Sequence, residues 1–425
     1  MQPPNTRRIV AAGTIGNVLE WYDFAIYSYF AAAIGRTFFP AQSPVAQLLS
    51  AFGIFAVGYL MRPLGGIVVG HIADRLGRRA ALTFSVTAMA LPTFLVGVLP
   101  GYEVLGVAAP ILLTLLRVIQ GLSVGGEATT AFVFLVERAG PGRRGAIGAL
   151  ASCGANCGIL AGSATGALLA TVMPAATLDA WGWRIPFLLG LLVGVAGYFI
   201  RRHIADTPRD AAAMPAAPPL VETLRHHGRL VARLAGLAAF SAVGFYLVFL
   251  YVVSWLQSVD GVAPARALGF NTASMLLLLP VMLGMGWLSD RVGRKQLLLA
   301  AVALGFVGAL PLFWLMHHPH PAMILLGEAG FVLILGTVLG IMPAIMVEAT
   351  PEHVRCTAIS LGYNVAFGIM GGLTPLVATW LIDRTETDLS PAWMMMAAAA
   401  ISFTSILTFR ESYRDGALAP APTSA

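Results

Sequence analysis

Charge is scarce in this sequence. Asp, Glu, Lys and Arg make up 11% of its 425 residues, where a soluble domain carries about 25%. Hydrophobic residues fill 58% and mean hydropathy is +0.80, in blocks that recur along nearly the whole chain. That pattern excludes a soluble fold with one buried core and implies a polytopic membrane protein, counted in spans of about 20 apolar residues. Cysteine is also rare: Cys153, Cys157 and Cys356 build no disulfide framework, and the first two, four apart, read as small packing residues on one helical face. No P-loop, nucleophile elbow or metal-binding helix motif occurs, which excludes ATP drive by this chain and argues against an enzyme or a resident cofactor. The N-terminus shows no short apolar core followed by a small-residue cleavage site, so the first hydrophobic block reads as an uncleaved span.

Twelve apolar blocks follow one another, at about 9–35, 47–72, 79–99, 103–135, 145–172, 184–201, 230–257, 267–288, 296–316, 322–347, 356–383 and 392–409. In lipid such blocks must be helices, because their backbone groups find no water to bond. The fold class expected is all-α, with twelve transmembrane helices in two six-helix bundles, residues 1–202 and 230–425. The Ala- and Pro-rich segment 203–229 is the linker between them, and the tail "GALAPAPTSA" reads as disordered. The net charge of +6 forms no continuous basic face, which excludes a nucleic-acid partner. With both termini inside, twenty basic residues fall in inner segments and three, Arg36, Arg266 and Arg384, in outer ones. Arg62, Arg117 and Arg184 lie within or at the edges of spans. The basic pI therefore reports topology, through the positive-inside bias.

The halves repeat. "GHIADRLGRR" from Gly70 and "GWLSDRVGRK" from Gly286 share one pattern, G-x-x-x-D-R-x-G-R-basic. Glu137 and Arg144 follow span four as Glu348 and Arg355 follow span ten, seven apart in each case. Within the decapeptides, Gly70 and Gly286 admit close helix approach, and Gly77 and Gly293 permit a tight turn. Asp74 and Asp290 sit at helix ends, where they can accept from arginine or cap the next helix. Arg75, Arg78 and Arg79, with Arg291, Arg294 and Lys295, pin the loops to the inner side. One reading is a topology anchor. The other is a charge latch in which Asp74 and its arginines engage Glu137 and Arg144 and hold the inner face shut.

Ionisable groups inside spans are costly and usually face a cavity or a partner. Glu20 and Asp23 lie about 60° apart on a helix, with Tyr27 between them in angle, near mid-depth. In span four Arg117, Gln120, Val124 and Glu127 make one helical stripe, and the two stripes are expected to meet in one buried network. Arginine keeps its proton, so the proton carrier should be a carboxylate; Asp23 and Glu127 are favoured, and the alternative for either span-one acid is a permanent ion pair. Arg62, beside the helix-breaking Pro63, either binds a carboxylate cargo or pairs with an acid. Tyr246, Tyr251, Trp255 and Gln257 in span seven, with Tyr363 and Asn364 in span eleven, are polar candidates for the cavity. Glu328, at the start of span ten, is expected to be solvated. His317, His318 and His320 lie in an outer turn, with no acid or thiol nearby in sequence to complete a metal site.

The paired decapeptides resemble the loop signature of the major facilitator superfamily, and "RVIQGLSVGG" from Arg117 resembles its span-four motif, which is associated with proton coupling. More narrowly, "GNVLEWYDFAIYSYF", "MRPLGG", "GLSVGGE", "WGWRIPF" and "GGLTP" resemble the metabolite:proton symporter family, across about residues 12–410. That family includes carriers of 2-oxoglutarate, citrate, shikimate, proline and betaine. The tail lacks the long charged coiled coil of osmosensing members. Lys295 stands where the latch usually ends in arginine, and Ala128 and Thr129 stand where many relatives carry an aromatic residue. The resemblance implies a proton-coupled secondary transporter of a bacterial inner membrane, working as a monomer by alternating access. It would import a small carboxylate-bearing metabolite, either a di- or tricarboxylate or a proline- or betaine-like zwitterion. Its partners would be that solute, protons and the lipid bilayer. An exporter, a proton-independent facilitator and a non-transporting solute receptor are the alternatives.

Overall fold

The computed structural model of the chain describes residues 6–40, 43–65, 68–69, 72, 78–124, 127–140, 142–201, 223 and 225–411. Most of the 203–229 linker, the 412–425 tail and, apart from Ile72, the first decapeptide through Gly77 lie outside the described residues. All regular structure among the described residues is helical, as the absence of water in a bilayer requires.

Among the described residues twelve helical spans occur in chain order. Seven are long and apolar enough to cross a membrane: Pro44–Gly65 (span two), Arg144–Val172 (five), Gly228–Ser258 (seven), Pro264–Val292 (eight), Arg294–Met316 (nine), Pro321–Glu348 (ten) and Glu352–Thr385 (eleven). Shorter apolar stretches lie in Arg78–Val98 (three), Ala108–Ser123 (the first part of four), Ile185–Arg201 (six) and Pro391–Leu407 (twelve). Thr6–Tyr29 is span one, continued outward by Ala31–Phe38.

Burial separates central from peripheral spans. The apolar windows of spans seven and ten are 94% and 89% buried, against 33% for spans five, eight and nine. The outer helices present side chains such as Leu115, Leu192, Leu276, Leu304 and Val307 outward, the belt expected where the surrounding solvent is lipid. Spans seven and eleven each change to π-helical winding at mid-length, over Tyr246–Tyr251 and Asn364–Gly371. Such local widening is frequent at functional sites.

The two halves touch at both ends of the seam. Toward the outer end Ser28 donates to the Leu250 carbonyl at 3.0 Å and Tyr29 to that of Phe249 at 2.9 Å. Toward the inner end Gly145 of span five lies against Gly286 of span eight so closely that a Cβ on Gly145 would stand 2.2 Å from the Gly286 carbonyl oxygen. The molecule is therefore closed above and below a central region.

Candidate functional site

Span one carries the acids to two different places. The Asp23 carboxylate, 1% exposed, lies inside the N-terminal half, where it accepts from Arg117 Nη1 at 2.6 Å, Thr93 Oγ1 at 2.7 Å and Gln120 Nε2 at 2.9 Å. Gln120 also donates to Thr93 at 2.9 Å, and the Arg117 guanidinium stacks over the Tyr27 ring at 3.9 Å. The Tyr27 hydroxyl is turned away, to the Ala51 carbonyl. Thr93, which follows Pro92 in span three, escaped sequence reasoning because a single threonine in an apolar span carries no pattern.

Glu20, one turn earlier, faces the seam and pairs with Arg62 Nη2 at 2.9 Å. Of the two sequence readings of Arg62, the structure adopts the acid pair. The single network expected for Glu20, Asp23 and Arg117 is thus divided into two ion pairs, because the 60° between the acids is enough to aim them at different neighbours. Nε and Nη1 of Arg62 are buried and donate to no partner. Its guanidinium stands 5.2 to 5.8 Å from the ring centres of Trp21, Phe24 and Tyr59, distances at which a cation is attracted to a ring face.

The C-terminal half completes this enclosure. Tyr246 meets the Tyr59 ring edge-to-face at 5.2 Å, Phe245 meets Trp21 at 5.8 Å, and Tyr363 stacks on Phe367 at 4.3 Å. Of the span-seven and span-eleven candidates, Tyr246 and Tyr363 belong to the centre. Tyr251 packs on Phe52, Trp255 donates to the Asp388 carbonyl, and Gln257 lines an outer cavity. Asn364 turns back to the Ser360 carbonyl of its own helix. Trp21 and Tyr59 were legible only as neighbours of Glu20 and Arg62; Phe55, Phe245 and Phe367 look like ordinary packing in sequence.

Two further expectations are corrected. The helical stripe of span four ends at Ser123, since Val124 is extended (φ −91°, ψ 104°). Glu127 opens a separate helix, Glu127–Arg138, and its side chain lies outside the described residues. Glu328 is wholly buried, not solvated, because spans eight and nine close over it. The outer histidines also gain acids from distant loops: His317 Nδ1 lies 2.5 Å from Asp260 Oδ1, and Nε2 lies 4.0 Å from Asp388 Oδ2. Burial pushes the Asp260 carboxyl up from the ordinary range, with His317 opposing the shift. No group that could hold a metal ion forms among the described residues.

At the inner end, Gly70, Asp74, Arg75 and Gly77 lie outside the described residues, and Arg78 and Arg79 begin span three with side chains that also lie outside them. The second decapeptide is fully placed. Asp290 accepts from the backbone N–H groups of Gly145 and Ala146 at 2.8 and 3.0 Å, capping span five of the other half, where the helix dipole favours an anion. Gly293 has φ +116°, a conformation that only glycine adopts without strain. Arg294 joins Asp290 at 3.0 Å and Glu348 at 2.7 Å. Lys295 donates to the Leu407 and Phe409 carbonyls, and Arg291 lies over Trp287. Glu137 pairs with Arg355 at 2.5 Å, and Glu348 lies 3.9 Å from Arg144. The partners of Glu137 and Arg144 thus lie across the seam, in the opposite half.

The Major Facilitator Superfamily sequence profile matches residues 14–375. The chain belongs to that superfamily. This superfamily member is 32% identical over 419 residues to the glycine betaine/proline/ectoine/pipecolic acid transporter of Dickeya dadantii, covering 96% of this chain and 83% of the relative. It is 32% identical to the proline/betaine transporter of Escherichia coli K12, over 96% of this chain and 84% of that one. A putative proline/betaine transporter of Staphylococcus aureus is 33% identical, with 95% and 88% covered. Among solved structures, a D-xylose-proton symporter superposes with a TM-score of 0.76 at 17% identity, over 97% of this chain and all of the other. An inward-facing bacterial homologue of the lysosomal transporter Spinster gives 0.67 at 18%, over 99% and 100%. Those two establish the fold. The chain is a membrane solute transporter, not an enzyme.

Proposed function

We propose that this chain imports a small zwitterion of the proline or betaine kind together with protons. It would work across a bacterial inner membrane, as a monomer, by alternating access of residues 1–202 and 230–425. The observation that carries the reading is the Arg62–Glu20 pair enclosed by aromatic rings from both halves. Arg62 keeps two unbonded N–H groups for a solute carboxylate, and Glu20 and the faces of Trp21, Tyr59 and Tyr246 suit an ammonium group. A di- or tricarboxylate would need surplus positive charge. Here each central arginine is already matched by one acid, Arg62 by Glu20 and Arg117 by Asp23, so the region is neutral and a solute without net charge fits best. The relatives whose names specify proline and betaine support the same choice.

The proton falls to Asp23 in this reading, with Glu127 the second acid in span four. Ionised Asp23 holds three donors; once protonated it releases the Arg117 guanidinium. Arg117 and Arg62 lie on the same ring, Phe24, at 6.0 and 5.8 Å, so a shift of Arg117 is passed to the solute position through one side chain. The inner pairs across the seam serve as the gate that holds the cytoplasmic face shut, with Asp74, Arg75, Arg78 and Arg79 proposed as its symmetry-related part.

Purified protein in liposomes tests this. An inward pH gradient should drive accumulation of proline or glycine betaine, but not of citrate or 2-oxoglutarate. Asp23→Asn should abolish gradient-driven accumulation while leaving solute exchange across the membrane. Uphill uptake unchanged in Asp23→Asn, or accumulation of the dicarboxylate alone, overturns the reading.

A further inference from the structure

Glu328 is a carboxyl that the central site does not use. It lies about 10 Å along span ten from Pro321 and is wholly buried. Span eight supplies one donor, the Ser274 hydroxyl, to Oε2, while Oε1 is buried without a partner. Span nine brings the Leu312 carbonyl and the apolar chains of Leu315 and Met316 up to the neighbouring Gly327. Span one brings Tyr29, whose hydroxyl lies within electrostatic reach of the carboxyl. No arginine, lysine or histidine pairs with Glu328 among the described residues. A buried carboxylate without a countercharge is strongly disfavoured, so in this closed arrangement the group is the neutral acid.

Its surroundings straddle the seam. The Tyr29 hydroxyl accepts from Asn271 Nδ2 at 2.8 Å, and Asn271 also donates to Ser163 at 3.0 Å, which pairs with Thr272 at 2.8 Å. Tyr29 and Ser163 belong to the N-terminal half; Asn271, Thr272, Ser274 and Glu328 belong to the other. Beside them an outer cavity of about 340 Å³ is lined by Tyr29, Leu268 and the Arg36–Asp179 pair, among others. Tyr29 therefore stands between that cavity and Glu328. Parting of the halves on the outer side would break the two Asn271 bonds and open the carboxyl to water.

We propose that Glu328 is a proton-binding site that makes closure of the outer face depend on external pH. Open to water, the carboxylate can ionise; to close, it must take one proton from the outer solution, and on reopening it returns that proton to the same side. Protonation favours the closed face and ionisation the open one, so raising external pH opens it. The inference needs alternating access, as in the reading above, but neither its solute nor Asp23.

The test uses spin labels or engineered cysteines across the outer seam of the full-length protein in liposomes, with no solute present. In the parent the open-to-closed ratio should rise with external pH, by up to tenfold per unit for one titrating group. Glu328→Gln, a permanently neutral isostere, should be closed and flat with pH. A parent slope in Glu328→Gln overturns the proposal. Independently, Ser274→Ala removes the hydrogen bond to Oε2 and should shift the infrared carbonyl band of a protonated carboxyl; if no such band moves, Glu328 is not the neutral acid and the proposal fails even where Glu328→Gln does not fold.

Discussion

The Glu20–Arg62 pair shows what a single buried charge demands. Both side chains are under a tenth exposed, so removing one partner leaves the other desolvated and unpaired, a loss of about 3–5 kcal/mol. Replacing both by apolar groups of similar volume removes two desolvation costs together and is often near neutral. Arg62→Ala should therefore lower the melting temperature of purified protein sharply, and Glu20→Leu with Arg62→Met should restore most of it. If Arg62 holds the solute carboxylate, the double variant will melt normally and show no thermal shift with proline or betaine. A double variant that still binds would remove Arg62 from the solute site. Sequence pointed to these residues because an acid or arginine in an apolar span is conspicuous. It could not say which acid meets which arginine, since that depends on small differences in angle around the helix and on where spans two, three and four stand. The aromatic rings were hidden by the opposite problem: in a chain this apolar, Phe245 and Phe367 look like every other packing residue.

At the scale of helices, close approach at the inner seam rests on the absence of side chains. A Cβ added at Gly145 would stand 2.2 Å from the Gly286 carbonyl and 2.4 Å from Ser289 Oγ, and the first of these is backbone that cannot rotate away. Gly145→Ala should thus force spans five and eight apart at their inner ends. Each half keeps its own packing, so the cost falls on closure of the inner face. Expected outcomes are little change in melting temperature, a longer inner-seam distance by spin labelling, and strongly reduced uptake. An unchanged inner distance would show that the seam tolerates the methyl group and that Gly145 does not set the gate. The span count and the glycines of the second decapeptide could be read from the chain, because hydropathy and the G-x-x-x-D-R-x-G pattern are local. The break at Val124 could not, because Val124 has an ordinary side chain and only the two glycines that follow it hint at an interruption. Glu328 was misjudged for a related reason: its distance from the span's end says nothing about which helices close over it.

For the whole molecule, the duplicated Glu and Arg positions reveal more in space than in sequence. Spacing alone suggested that Glu137 and Arg144 would serve their own half. Instead Glu137 reaches Arg355 and Arg144 lies by Glu348, so these repeated positions pair across the seam, while Arg294 binds Glu348 within its own half. These pairs differ in burial, and burial decides which one controls the gate. The Glu137 side chain is 36% exposed, although Arg355 is 2% exposed, so water reaches the Glu137 side of the pair and its loss costs less than removing a wholly buried partner. Glu348 is 1% exposed and is shared between Arg294 of its own half and Arg144 across the seam; its removal leaves Arg294 with Asp290 alone and takes the buried acid away from Arg144, at a cost of up to about 3–5 kcal/mol. Glu348→Gln should hold the inner face open at any ionic strength, with the inner-seam distance lengthened and uptake lost. Glu137→Gln should shift the same distance distribution only slightly. High salt should imitate Glu137→Gln in the parent, because an exposed pair is screened and a buried one is not. Exchange of the charges, Glu137→Arg with Arg355→Glu, should recover part of any loss seen in Glu137→Gln. If the two single variants open the face equally, the gate is held by shape along spans five and eight, and the charges across it only set the pairing.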